Sequence, residues 1–71
     1  MLRKRSLNLA GHATSVALEP EFWAALARMA GREGRSLTSV VAQIDAGRGG
    51  RPLASACRVA ALAWAGAMEL S

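Results

Sequence analysis

The chain has 71 residues, enough for one domain spanning 1–71 and for only a small core in a single copy. Nine Lys/Arg against five Asp/Glu give a formal charge of +4 and a pI of about 11.2, which suits a polyanion such as DNA as well as plain solubility. One cysteine, Cys57, and one histidine, His12, far apart in the chain, exclude an internal disulfide and an ordinary His/Cys metal site.

Without those staples a homodimer is the expected route to a stable core, with no metal and no cofactor. Residues 1–5, carrying Arg3, Lys4 and Arg5, read as a basic arm. The segment after Arg5 is too polar, and too soon broken by Gly11, for the apolar stretch of a secretory signal, so a cytoplasmic protein is expected. Ser6-Leu7-Asn8-Leu9 alternates polar with apolar and suggests a short extended piece, and Gly11-His12 reads as a turn. A strand is expected over about 13–18, with Val16 and Leu18 on one face and Ser15 and Ala17 on the other. No later segment reads as a strand. Its antiparallel partner is therefore expected from a second subunit.

Pro20 suits the first position of a helix over about 20–32, with Glu21 in its positive first turn and Phe22, Leu26, Met29 and Ala30 at helical spacing. Gly34 reads as its C-terminal cap and Ser36 as the N-cap of a second helix, about 37–46, in which Leu37, Val40, Val41 and Ile44 form one stripe. Gly47-Arg48-Gly49-Gly50 ends it. A third helix is expected over about 52–66, Ala-rich and nearly uncharged. The apolar run from Val59 to Leu70 is too short, and too interrupted by Gly66 and Glu69, to span a membrane.

The chain carries no catalytic signature. The glycines at 47–50 come after a helix and lack the Lys-Ser/Thr tail of a phosphate loop, and there is no Cys-x-x-Cys, His-Glu-x-x-His or paired catalytic carboxylate. No enzyme, and no catalytic residue, is expected.

The strand, the proline-initiated helix and the Gly34-Arg35-Ser36 turn into a second helix together resemble the ribbon-helix-helix superfamily of Arc- and MetJ-like repressors. A set of motifs is similar to a bacterial ribbon-helix-helix family with an additional C-terminal helix. They are Lys4-Arg5-Ser6, Gly11-His12 with Thr14-Ser15, Leu18-Glu19-Pro20-Glu21-Phe22-Trp23, Ile44-Asp45-Ala46, and Leu53 with Ser55-Ala56 and Arg58, covering residues 4 to 64. The resemblance implies a mainly α ribbon-helix-helix homodimer in which one strand from each subunit forms a ribbon laid in the DNA major groove. Ala13, Ser15 and Ala17 would face the bases. Arg3, Lys4, Arg5 and His12 beside the ribbon, with Arg35, Ser36, Thr38 and Ser39 at the start of the second helix, would contact the DNA backbone. Val16, Leu18, Phe22, Leu26, Leu37, Val40, Val41 and Ile44 would form the dimer core.

Each assignment has a plainer counterpart. His12 could simply hydrogen-bond within its turn, Ser36 would cap a helix in any protein, Asp45 could pair with Arg48 or Arg58, and Cys57 reads as a small buried residue. Serine offers a base edge one hydrogen bond and alanine only touches a thymine methyl, so backbone contacts would carry most DNA affinity. The expected role is a transcriptional regulator. The alternatives are an antitoxin-like or other protein-interaction module using the C-terminal helix, and a dimerisation scaffold without DNA binding.

Overall fold

The computed structural model describes residues 1–70, with only the backbone described for Glu69 and Leu70. Its first element pair corrects the expectation of a single strand per chain. Residues 3–9 form β1 (Arg3–Leu9), which pairs antiparallel with β2 (His12–Leu18) of the same chain, from Arg3 opposite Leu18 to Leu9 opposite His12. The turn is Ala10-Gly11, not Gly11-His12. Its two residues have φ +52 and +82, the double positive φ of a type I′ turn, whose twist matches the strands it joins. The expected basic arm is therefore mostly strand, and β2 finds its first partner within the chain.

Three helices succeed the hairpin in the expected order: α1 (Pro20–Glu33), α2 (Leu37–Gly47) and α3 (Leu53–Leu70). The carbonyl of Glu19 accepts from the N–H groups of Phe22 and Trp23, which starts α1. Gly34, at φ +64, ends it. Its N–H donates to the Gly31 carbonyl while that of Arg35 donates to Ala30 (2.9 Å), the paired bonds of a Schellman cap. The Ser36 hydroxyl accepts from the Ser39 N–H at 3.0 Å and caps α2. Arg48 bonds Asp45 (2.7 Å) and the carbonyl of Arg51 (2.8 Å), bracing the α2–α3 loop. Helix α3 runs past Gly66, where it was expected to stop, because the good helix formers Ala67, Met68 and Leu70 come after it without a proline.

Alternation along both strands puts Leu7, Leu9, Val16 and Leu18 on the helix-facing side of the hairpin. They meet Trp23, Leu26 and Ala30 of α1, Val40 and Val41 of α2, and Cys57 and Ala61 of α3. Of the residues expected in a dimer core, Val16, Leu18, Leu26, Val40 and Val41 are buried within the single chain. Phe22, Leu37 and Ile44 pack against that core and stay partly exposed. Among the described residues, no helix is long and apolar enough to cross a membrane.

Candidate nucleic-acid interface

The pleat that buries four apolar residues turns another six outward. Lys4, Ser6 and Asn8 of β1 lie opposite Ala17, Ser15 and Ala13 of β2, forming a face directed away from the helices. Ala13 and Ser15, expected to face the bases, are exposed, and Ala17 is half-buried. Lys4, Ser6 and Asn8 are all exposed. Ser6 and Asn8 escaped sequence reasoning. Their alternation with Leu7 and Leu9 was the available signal, but it locates a face only once β1 is paired in register with β2. The long donors that β2 lacks are supplied by the neighbouring strand: Lys4 can meet a phosphate, and Asn8 has the paired donor and acceptor that match an adenine edge.

Arg3 and Arg5, expected with Lys4 as backbone contacts, stand on the opposite face of the hairpin. The indole N–H of Trp23 donates to the Arg3 carbonyl at 2.8 Å, and the Arg5 guanidinium lies 5.3 Å from the Trp23 ring centre. Both contacts dock β1 on α1, the second as a cation–π pair. His12 is exposed at the turn end of β2, opposite Leu9, and so also lies on the helix-facing side.

The start of α2 is a second, separate group. Ser36 spends its hydroxyl on the cap, leaving the backbone N–H groups of Leu37 and Thr38 at the positive end of the helix. Arg35 differs from the expected phosphate clamp. Its guanidinium donates to the Ser39 carbonyl (2.9 Å) and hydroxyl (3.1 Å), to Glu33 (2.8 Å) and to the side-chain oxygen of Gln43. It is consumed in stapling the α1–α2 turn to the first turn of α2.

Among the described residues, two titratable groups are perturbed. The Arg58 guanidinium, 2.9 Å from Glu19, holds that carboxyl below the usual range, helped by the backbone N–H of Glu19 itself. This pair ties the start of α1 to α3, and Arg58 also lies 5.8 Å from the Phe22 ring centre. Burial pushes the Cys57 thiol up, and the Asp45 charge adds to that. A protonated, fully covered thiol is an inert core residue. Among the described residues, no three His, Cys, Asp or Glu side chains gather as a metal site.

Comparison with known proteins returns no matching curated protein and no matching solved structure. A family model described as the ribbon-helix-helix domain, a non-catalytic domain type, matches residues 2–65. That span takes in the hairpin, α1, α2 and most of α3, so the chain, which is not an enzyme, belongs to the ribbon-helix-helix domain family.

Proposed function

We propose that the protein is a homodimeric, DNA-binding transcriptional regulator, acting in the bacterial cytoplasm, whose reading surface is the outer face of the hairpin. The observation that carries this is that face itself: Lys4, Ser6, Asn8 and Ser15 stand exposed, and the other two positions on that face of the paired strands are alanines. Family membership supports the same reading, since such domains typically dimerise and bind DNA.

Register supports one way of assembling the dimer. In a two-residue hairpin the closing pair, Leu9 with His12, is hydrogen-bonded, and pairs alternate from there. Ala13, Ser15 and Ala17 then direct their backbone N–H and C=O away from β1, along the open edge of β2. A second β2 pairs there about a two-fold axis near Ser15, giving the strand order β1-β2-β2-β1. Strands about 4.8 Å apart put each β1 about 7 Å from that axis, against a major groove about 12 Å wide. The inner pair thus lies in the groove and presents Ser15, while each Lys4 reaches the phosphates along its walls.

Binding to a fluorescent duplex as a function of salt tests the reading. Each neutralised phosphate contributes about 0.9 to the slope of log affinity against log salt, so Lys4→Ala, which removes two contacts per dimer, should flatten the slope by about 2. Arg35→Ala should leave it unchanged, because that guanidinium is already engaged within the chain. Absence of DNA binding, or an unchanged slope for Lys4→Ala, overturns the reading.

A further inference from the structure

Between α1 and the C-terminal half of α3 runs a groove of about 820 Å³ that shares no residue with the hairpin. Its lining is of two kinds. Ala25, Trp64 and Met68 are apolar, whereas Arg28 and Arg32 stand one helical turn apart on α1. Three other arginines, Arg35, Arg48 and Arg58, are each paired with a carboxylate of the chain. Arg28 and Arg32 have no ion pair or side-chain hydrogen bond among the described residues. Gly31 sits between them, and a Cβ there would meet nothing within 4 Å. Among the described residues, no contact therefore requires glycine at this helical position, and its missing side chain keeps the groove open.

We propose that this groove is a docking site for an acidic, amphipathic helix of a partner protein. Two carboxylates at i and i+4 on such a helix match the spacing of Arg28 and Arg32, and its apolar stripe covers Trp64 and Met68. Charge complementarity decides the occupant. The uncommitted cations call for an acidic ligand, while the apolar lining is poorly used by a nucleic-acid backbone, which needs successive cations along its track. The site is independent of the DNA-binding face and extends the protein's role to a second partner.

The test is a nuclear magnetic resonance titration of the full chain with an acetylated, Ala-based helical peptide. It carries leucines at i, i+4 and i+7 and a glutamate directly after each of the first two. Saturable shifts of the Trp64 indole N–H and of the Arg28 and Arg32 side-chain N–H groups are expected. The double variant Arg28→Glu/Arg32→Glu should bind about tenfold more weakly, and a peptide with lysines in place of the glutamates should restore binding to it. Gly31→Leu should fill the groove and abolish binding. Because leucine favours helix over glycine it should fold normally, as an unmoved Trp23 indole resonance would report. Absence of saturable shifts, equal binding by Gly31→Leu, or no rescue by the lysine peptide overturns the proposal. So does movement of the same resonances on adding duplex DNA, or on raising protein concentration alone, since the occupant is then nucleic acid or a second copy.

Discussion

Ala10 holds the hairpin together at a cost. At φ +52 it is the non-glycine residue with positive φ among the described residues, and that conformation crowds Cβ against the following carbonyl. The position tolerates it because β1 and β2 pair over seven residues each and fix the turn from both sides. Asparagine adopts the same backbone more readily, so Ala10→Asn creates the Asn-Gly pair favoured in type I′ turns. We expect it to stabilise the chain by about 1 kcal/mol, or about 5 °C in Tm, by thermal unfolding followed with circular dichroism. An unchanged or lower Tm would show that Ala10 carries no strain. The same residue explains why the hairpin is not legible in the sequence. Ala-Gly is a weak turn signal, so sequence alone places the turn one residue late and leaves Ser6–Leu9 without a partner. Arg58 gives a second instance at this scale. The sequence offers Asp45 to either Arg48 or Arg58; Asp45 takes Arg48, just past the end of its helix, while Arg58 reaches across the fold to Glu19.

At the scale of elements, legibility depends on how local the determinant is. The starts and stops of α1 and α2 rest on Pro20, Gly34 and Ser36, each acting within a few residues, and the boundaries agree within one residue. Which face of β1 points outward depends instead on a pairing between strands, and that puts Arg3 and Arg5 on the helix-facing side of the hairpin and Ser6 and Asn8 on its outer face. The open edge of β2 carries the corresponding prediction. Proline at Ser15 deletes one edge N–H that register directs away from β1, so the hairpin retains its own ladder while the pairing of two β2 strands loses its centre. Ser15→Pro should therefore be a folded monomer in sedimentation velocity with weakened DNA binding. A dimeric Ser15→Pro would place the subunit contact elsewhere, with the part-exposed Phe22, Leu37 and Ile44 as the alternative surface.

For the whole molecule, two facts pull in opposite directions. Leu18, Leu26, Val41 and Cys57 are fully covered within one chain, so the core does not wait for a second subunit to close. A chain of this length nevertheless buries only about 60% of the surface it exposes when unfolded, which leaves a lone copy marginally stable. Both hold if dimerisation adds stability to a monomer that is already folded, rather than creating the fold. Cys57 can report this directly. Covered on α3 and kept protonated by burial, it should react with a thiol reagent only when the chain opens. If opening is faster than labelling, the rate measures the free energy of that opening, which mass action raises with protein concentration in a dimer. Labelling of the native protein should therefore slow as concentration rises above the dimer dissociation constant. In Ser15→Pro it should be faster and independent of concentration, yet still far slower than in the denatured chain. Labelling of that monomer at the denatured rate would mean that the core closes only in the dimer.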